Sequence, residues 1–314
     1  MKLLLHIGPP KTGTTSLQQF LYNNREKLSE AGFFLFDGIG APNNIDLAAF
    51  FSSDPANAGL KGWSRRRGIT NRQEKDAYFA SRSFVEVLDR QIASASETHH
   101  TAIITSEHLS SALQQKDDVE LCARFLLERF EVATVIFFVR DQVDLLPSRW
   151  STELKSGGTA TLNERVKESV RNQSLDYFTY AERWSQHFGR DNLACFLYDP
   201  AQNWDIRKNF SEIYLEAAGT LTPPSRRANR SFGAVEATVV RIINMVFPYW
   251  LPGALKPNER NLRAREFVSR FLADKFRPVR LSSRQARRVA MVYKDSNAQF
   301  FREYLSPGER LDQQ

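Results

Sequence analysis

Residues 3–21 of the chain read LLLHIGPPKTGTTSLQQFL, which is an apolar run, a turn rich in glycine and proline, and a segment with helical periodicity. This pattern predicts a buried strand, a loop and a helix in that order. Amide N–H groups at the start of a helix have no partner within the helix, and the helix dipole favours negative charge there. The loop between Gly8 and Gly13 is therefore predicted to bind an anionic group such as a phosphate.

The position of the lysine separates this loop from the nucleotide-binding loop of the Walker type. Gly8 and Gly13 keep the Walker spacing of two glycines, but Thr14 stands where that motif has its lysine. The lysine lies inside the loop instead, at position 11. An ordinary strand-to-helix turn is the alternative interpretation of so short a motif.

The loop and the start of its helix resemble the 5′-phosphosulfate loop of sulfotransferases that use 3′-phosphoadenosine 5′-phosphosulfate (PAPS), in particular the bacterial carbohydrate-type branch. The resemblance implies that Lys11 contacts the phosphosulfate bridge and that the Gly-Thr-Thr turn supplies backbone and hydroxyl donors. The cofactor-binding residues implied at this end of the chain are Pro10, Lys11, Thr12, Gly13, Thr14, Thr15 and Ser16.

A second resemblance concerns the 3′-phosphate of the same cofactor. Arg140 ends an apolar run and Ser148 follows eight residues later, as in the family's 3′-phosphate motif. Pro147 is a departure from that pattern, because proline removes a hydrogen bond from a helix. Residues 226–231 resemble only loosely the family's loop that closes over this phosphate. The resemblance implies weakly that Arg230 and Ser231 bind the phosphate. A basic loop with no such role is the stronger alternative.

Two candidates for the general base follow the apolar run 101–105. Glu107 stands where the resemblance places the catalytic glutamate of glycan sulfotransferases, and histidine is the base in other branches, which makes His108 the second candidate. The alternative is that Glu107 caps the next helix and His108 packs beside it. Spacings typical of metal ligands, such as Cys-x-x-Cys, are absent from the sequence, and we expect no metal.

Apolar runs and helical periods alternate along the chain. Strands are predicted at 2–7, 33–36, 101–105, 132–139 and 192–197. Helices are predicted at 15–31, 73–96, 117–130, 143–155, 162–171, 177–188, 204–217, 234–246, 260–275 and 283–304. Near-continuous apolar strands between helices indicate an α/β fold, here a P-loop-like three-layer α/β/α arrangement with a central parallel sheet and a helical C-terminal extension. If the strands are parallel neighbours, the loop at Gly8, the pair Glu107 and His108, and Arg140 follow strands that end at one edge of the sheet.

The predicted organisation is a single domain over residues 1–314, with a loop insertion at about 37–72 and a basic helical extension at about 234–314. The insertion is predicted to cover the site, with Trp63 stacking on a sugar; a solvated loop is the alternative. The basic extension is interpreted as a solvated helical face, or as a surface for an anionic acceptor or membrane.

Composition restricts the class of protein. Of the 314 residues, 42% are hydrophobic and 25% charged, which is typical of a globular protein, and the formal net charge of +7 suits an anionic partner. Because apolar runs long enough for a membrane helix or a signal peptide are missing, we expect a soluble cytoplasmic protein, with a peripheral place at a membrane surface left open. The two cysteines are too few for a disulfide framework.

The predicted function is transfer of the sulfuryl group of PAPS to a hydroxyl of a carbohydrate or glycolipid, with 3′-phosphoadenosine 5′-phosphate (PAP) as product. Lys11 would stabilise the leaving phosphate and Glu107 would accept the proton. One alternative is a P-loop kinase or NTPase in which Glu107 or Asp141 holds Mg²⁺. A second is a nucleic-acid or anionic-surface binder, although no nucleic acid is expected as a partner. The acceptor and the oligomeric state are not predicted.

Overall fold

The structure, a computed structural model, describes residues 1–131, 133–198, 205–222, 231–272 and 277–305. The chain divides into two compact units. The first comprises residues 1–139, 177–228 and 299–314, and the second comprises residues 140–176 and 229–298. The predicted organisation as a single domain stays a prediction.

The first unit is built on a parallel sheet of five strands in the order β2-β3-β1-β4-β5. The strands are β1 (Lys2–Gly8), β2 (Phe33–Leu35), β3 (Thr101–Thr105), β4 (Ala133–Val139) and β5 (Leu193–Leu197). All five predicted strands are confirmed, and so is the α/β fold class. Because β1, β3 and β4 are parallel neighbours, they end at the same edge of the sheet.

The described residues form fifteen α-helices. They are α1 (Thr14–Asn23), α2 (Arg25–Glu30), α3 (Ile45–Phe51), α4 (Lys61–Arg67), α5 (Arg72–Ala80), α6 (Phe84–Ser96), α7 (Glu107–Ala112), α8 (Lys116–Leu127), α9 (Gln142–Lys155), α10 (Leu162–Asn172), α11 (Tyr177–Phe188), α12 (Ile206–Tyr214), α13 (Ala234–Val246), α14 (Glu259–Leu272) and α15 (Ser283–Glu303). Single 3₁₀ turns lie at Arg190–Asn192 and Glu216–Ala218.

Helices cover both faces of the sheet. Alternate residues of β4 point to opposite faces, so Phe138 packs in a core with Leu17 and Leu21 of α1 and Phe210 of α12. Phe137, on the other face, meets the rings of Tyr177 in α11 and Phe300 in α15. The interior strands are buried on both sides, which explains their continuous apolar sequences.

The second unit has a smaller core made by α9 and α13. Trp150 and Leu154 pack against Phe232, Ala237 and Val240. Buried amides support this packing: the Nδ2 of Asn244 donates to the carbonyl oxygens of Leu154 and Gly158, each at 2.9 Å.

Two predicted helices are broken in the structure. The helix predicted at 15–31 stops at Asn24, whose buried side chain donates to the carbonyl of Phe20 at 2.8 Å and to that of Thr222 at 2.9 Å. Asparagine competes for backbone groups in this way, and the chain restarts as α2. The helix predicted at 73–96 is broken before Ser83, which has a φ of 45°.

The insertion at 37–72 contains two helices, α3 and α4, where a loop was predicted. The prediction that Trp63 stacks on a sugar is wrong, because its side chain is only 1% exposed. The indole packs parallel to the ring of Phe79 and donates to Oδ1 of Asp46 at 2.5 Å. None of the described helices is long and apolar enough to cross a membrane.

Candidate active site

The candidate site begins where β1 meets α7. Gly8 ends β1 with a φ of +94°, and a Cβ on it would lie 2.8 Å from the Cα of Glu107 and 3.1 Å from the Oγ of Ser110. Only glycine allows both this backbone conformation and this approach. The phosphate-type loop and the residue predicted as the base are therefore held side by side.

Lys11 occupies the middle of the loop in an unusual conformation for a residue with a side chain, with a φ of 77°. Burial lowers the pKa of its ammonium group, and the negative charge of Glu107 partly offsets that effect by favouring the charged form. The structure thus brings the predicted cation and the predicted base within electrostatic reach of each other.

Among the described residues, no side chain caps the start of α1. Gly13 precedes the helix in a left-handed conformation, and the first turn has no acidic residue. The amides of Ser16 and Leu17 donate to the carbonyl of Gly13, whereas those of Thr14 and Thr15 lie at the helix start without an intrahelical acceptor.

The remaining loop residues differ in what their side chains do. The hydroxyl of Thr12 is buried and donates to the carbonyl of Pro9 at 2.8 Å, so it braces the loop from within. Thr14 is also buried, whereas Pro10, Thr15 and Ser16 are half-buried.

Glu107 is held by a residue of α1. The Nε2 of Gln18 donates to its Oε2 at 2.5 Å, and the Glu107 side chain keeps 16% of its surface exposed. A carboxylate fixed by one donor at one oxygen, with a cation nearby, is oriented and still accessible to a substrate. Glu107 is also the first residue of α7, but it is Ser106 that takes the capping position.

His108 is bound to the insertion on both ring nitrogens. Its Nδ1 lies 2.9 Å from the carbonyl oxygen of Gly59, which can only accept, so Nδ1 carries the proton. Its Nε2 lies 3.3 Å from the Nδ2 of Asn43 and 3.8 Å from Oε1 of Glu107. Both ring nitrogens of His108 therefore contact protein groups, whereas one carboxylate oxygen of Glu107 is not held by Gln18.

Two buried polar atoms lie next to this arrangement. His6 of β1 contacts the hydroxyl of Thr105 at 2.7 Å through Nδ1, and its Nε2 has no hydrogen-bond partner among the described residues. The hydroxyl of Ser106, whose amide donates to the carbonyl of His6, is likewise buried without a described partner. Complete burial lowers the pKa of His6 to about 3.

The residues predicted to hold the 3′-phosphate belong to the second unit. Arg140 is the residue after β4 and is half-buried. Ser148 lies in α9, which continues through Pro147, and it is half-buried. Ser231 is half-buried just before α13, and Arg230 lies outside the described residues.

Sequence reasoning missed Gln18 and the two residues that hold His108. The helical spacing of Gln18 from Thr14, Leu17 and Leu21 places it on the buried side of α1. A polar side chain at a buried position requires a hydrogen-bond partner, and this was the sequence signal for Gln18. For Asn43 and Gly59 no local signal exists, since both are distant from His108 in sequence.

The described residues of the first unit line cavities at both edges of the sheet. One of about 50 Å³ is lined by Gln18, Tyr22, Asn44 and Thr105, among others, at the edge where β1 and β3 end. A larger one of about 360 Å³ lies at the opposite edge, against Lys2 and Thr101 at the strand starts. Parallel sheets bind ligands at the carboxyl ends of their strands, which is the edge where the smaller cavity lies, and the cavity shares Gln18 with the candidate site.

Comparison with known proteins gives a likeness to a solved structure. No protein-family model matches the chain, and no curated protein matches it significantly. The crystal structure of a sulfotransferase from Alicyclobacillus acidocaldarius resembles the chain with a TM-score of 0.41 and 14% identity, over 84% of this chain and 95% of that one. At these values the likeness carries no argument about fold or function. Among the described residues, no group of three His, Cys, Asp or Glu side chains could hold a metal ion.

Proposed function

We propose that the protein transfers the sulfuryl group of PAPS to a hydroxyl group of a carbohydrate, glycolipid or similar acceptor. The observation that carries the proposal is that Lys11, in the loop before α1, lies within electrostatic reach of Glu107, and Gly8 places the loop directly against Glu107. Sulfuryl transfer needs a cation where charge grows on the leaving phosphate and a base for the acceptor proton, and the two residues match these needs.

The loop fits the 5′ end of such a donor. The amides of Thr14 and Thr15 and the ammonium group of Lys11 would bind the phosphosulfate, with Thr12 acting through its backbone and with Pro10, Gly13 and Ser16 shaping the turn. Lys11 is partly removed from water, which strengthens its interaction with a developing negative charge. Its contribution is therefore expected to grow from the ground state to the transition state, which is what accelerates a reaction.

Glu107 would accept the proton of the acceptor hydroxyl through the oxygen that Gln18 does not hold. As the O–S bond to the acceptor forms and the bond to the phosphate oxygen breaks, the proton passes to the carboxylate and PAP leaves with the additional negative charge. His108 would support Glu107 from the side, since its own nitrogens are bound to Asn43 and Gly59.

The 3′-phosphate is assigned to Arg140 and Ser148, with Ser231 and Arg230 as further candidates. A guanidinium group offers paired donors to phosphate oxygens, and a serine hydroxyl offers one more. This part of the proposal rests on the sequence resemblance alone.

One observation speaks against a Mg²⁺-dependent NTPase. The carboxylate of Asp141, the acidic residue after β4, accepts from the amide of Val143 at 2.7 Å and so serves as the cap of α9. Glu107 in turn is engaged by Gln18 and faces a cation.

Calorimetric titration with PAP, and separately with ATP and Mg²⁺, tests the proposal. PAP is expected to bind without added metal and more tightly than ATP with Mg²⁺. Tighter binding of ATP with Mg²⁺, together with no heat from PAP, would assign the loop to a nucleotide kinase or NTPase instead.

The roles of the two residues are tested by PAPS consumption in the presence of a panel of mono- and disaccharides. Lys11→Ala is expected to lower kcat by about 100-fold or more and to change PAP affinity much less, because the charge acts mainly on the transition state. Glu107→Gln should reduce kcat by roughly 100-fold to 10,000-fold with PAP binding retained.

Lys116→Ala and Glu97→Gln, at exposed positions of the first unit, are the matched controls and should leave both readouts unchanged. Turnover unchanged in Lys11→Ala would show that the leaving group is stabilised elsewhere. Full turnover in Glu107→Gln would remove Glu107 from the mechanism.

A further inference from the structure

The helices α13 and α14 of the second unit form an antiparallel hairpin that is tied at both ends. Near its turn, the buried Nδ2 of Asn261 donates to Oδ1 of Asn244 at 2.9 Å and to the carbonyl of Phe247 at 2.7 Å. At the other end, the hydroxyl of Ser269 donates to Oε1 of Glu236 at 3.1 Å. The hairpin therefore has a defined shape, and residues 245–262, called the hairpin tip here, are held at one end of it.

The connecting segment within the tip is ordered as well. The amide of Asn258 donates to the carbonyl of Tyr249 at 2.7 Å, and its Nδ2 donates to that of Pro248 at 3.0 Å. The guanidinium group of Arg265 lies over the ring of Tyr249, 5.0 Å from its centre. Side chains of the tip are thus presented on a fixed backbone.

The tip exposes large apolar side chains that a soluble protein normally covers. Between 38% and 63% of the surface of each is accessible. These side chains are Met245, Val246, Phe247, Leu251, Leu255 and Leu262. Single exposed apolar residues are common, but a cluster of this size on one tip indicates a surface that is covered in function.

The apolar surface continues from the tip along one side of α13. Val235, Ile242 and Val246 are exposed and lie on the same side of the helix, because their spacing is close to whole turns. The opposite side, with Ala237 and Val240, is buried in the core of the unit. This helix is apolar on both sides, which is expected of a helix that has a partner on each.

Basic residues lie within the apolar tip and along the helix that leaves it. Residues 245–272 contain five Lys and Arg against two Asp and Glu. Both acidic residues already pair within α14, Glu259 with Arg263 at 3.3 Å and Glu266 with Arg270 at 2.7 Å. Lys256 and Arg260 are exposed and add positive charge beside the apolar side chains.

We propose that the hairpin tip docks on an anionic lipid bilayer, with its apolar side chains in the interfacial region and its basic residues against the headgroups. Aromatic and apolar side chains ringed by Lys and Arg are the composition that binds this interface. Negative lipids attract a segment that carries exposed basic residues near the membrane surface. A second copy of the chain fits less well, because a symmetric contact through the tip would oppose like charges.

Co-sedimentation with vesicles tests the proposal, using the full chain and two lipid compositions. One is phosphatidylcholine alone, and the other contains about one-third phosphatidylglycerol. We expect the protein to sediment with the anionic vesicles and to remain mostly in solution with the neutral ones. Binding of equal strength to both, or to neither, would overturn the proposal.

Variants locate the contact. Phe247→Ser/Leu251→Ser/Leu255→Ser is expected to weaken vesicle binding about 10-fold or more, because each removed side chain lowers the apolar area that is buried. Lys256→Glu/Arg260→Glu should reduce binding to anionic vesicles by a similar factor. Leu121→Ser/Leu127→Ser, at equally exposed positions of α8, is the matched control and should bind as the unchanged chain does.

Further measurements separate loss of vesicle binding from loss of folding and from self-association. Circular dichroism and the thermal unfolding midpoint show whether the variants fold, and light scattering gives the mass in solution. A dimer that the triple variant disperses, without vesicle binding by the unchanged chain, would assign the tip to a second copy and overturn the proposal. PAP binding is measured in parallel, so that the failure of this proposal and that of the proposed function are distinguishable.

Discussion

His6 and Lys11 lie on either side of Gly8 in the sequence. Burial lowers the pKa of both side chains, but the consequence for their charge differs. The pKa of the Lys11 ammonium is lowered, but Glu107 favours its charged form. His6 contacts the hydroxyl of Thr105, and no carboxylate raises its pKa. Burial lowers that pKa to about 3. His6 is therefore neutral in the folded protein near neutral pH, and the cation of the site is Lys11.

The burial of His6 predicts how stability depends on pH. In the unfolded chain a histidine takes up its proton near pH 6.5, whereas the folded protein does not protonate His6 until about pH 3. Between these values the unfolded state binds more protons, so the free energy of unfolding falls with decreasing pH by up to about 1.4 kcal/mol per pH unit. Above this window His6 adds no pH dependence.

The measurement is urea unfolding from about pH 7 to pH 4 for the unchanged chain and for His6→Asn. The variant should lose stability less steeply toward low pH, since the other titrating groups are the same in both proteins. Parallel curves would show that His6 has the same pKa in the folded protein as in the unfolded chain, and so that burial does not lower it.

Residues of the site differ in how far the sequence predicts them. The positions of Lys11 and Glu107 after apolar runs can be read from local sequence, whereas the roles predicted for them come from the family resemblance. The hydrogen bond from Gln18 to Glu107 required the knowledge that α1 and α7 are neighbours. The contacts of His108 with Asn43 and Gly59 depend on how the insertion folds, which no local pattern states.

Among the elements, the insertion at 37–72 is the clearest case in which tertiary contacts, and not the local sequence, determine where helices form. Its composition predicts a loop, yet α3 and α4 form around buried groups. Lys75 is one of these groups: its Nζ donates to the carbonyl oxygens of Phe50 and Ser52, at 2.8 and 2.9 Å, at the end of α3. A cation at a helix C-terminus stabilises that end. Because Lys75 lies in a different helix, the periodicity of the insertion gives no indication of it.

The contact between β1 and α7 is the element pair on which the site depends, and it is tested by Gly8→Ala. The new Cβ would lie 2.8 Å from the Cα of Glu107, and the φ of +94° is unfavourable for alanine. We expect a loss of stability of about 2–5 kcal/mol, from backbone strain together with overpacking. Displacement of Glu107 should also lower turnover of PAPS.

Gly253→Ala is the matched control for this substitution. Gly253 also has a positive φ, +71°, but a Cβ there would meet nothing within 4 Å. Its cost is therefore limited to backbone strain, about 1–2 kcal/mol. Equal shifts of the thermal midpoint in the two variants would mean that Gly8 does not pack closely against Glu107.

Over the whole molecule, positive charge is concentrated in one segment. Residues 229–298 contain fourteen Lys and Arg against five Asp and Glu, an excess larger than the formal net charge of +7 of the chain. The rest of the chain, which holds the phosphate-type loop and Glu107, therefore has slightly more acidic than basic residues. The positive net charge of the chain therefore comes from the second unit and not from the part that holds the candidate active site.

At the scale of the whole molecule, the parallel sheet could be predicted from the sequence, whereas the division into two units could not. Strands buried on both faces have continuous apolar sequences, so their order along the chain and their parallel pairing follow from composition. The second unit takes its residues from two separate parts of the chain, 140–176 and 229–298. Its small core joins Trp150 of α9 with Val240 of α13, a contact that periodicity does not predict.

This distribution of charge predicts different salt dependences for the two proposed ligands. Docking on anionic vesicles draws on several exposed cations, whose attraction is screened as the Debye length falls from about 10 Å at 0.1 M salt to about 3 Å at 1 M. The proposed PAP site uses a few half-buried groups, such as Arg140 and Ser148, whose interactions salt screens less. Vesicle co-sedimentation and PAP calorimetry in parallel over this range should therefore show vesicle binding lost first, while the dissociation constant of PAP rises by less than about 10-fold. A steeper loss of PAP binding than of vesicle binding would contradict this, because it would place the exposed basic residues at the nucleotide and not at the lipid.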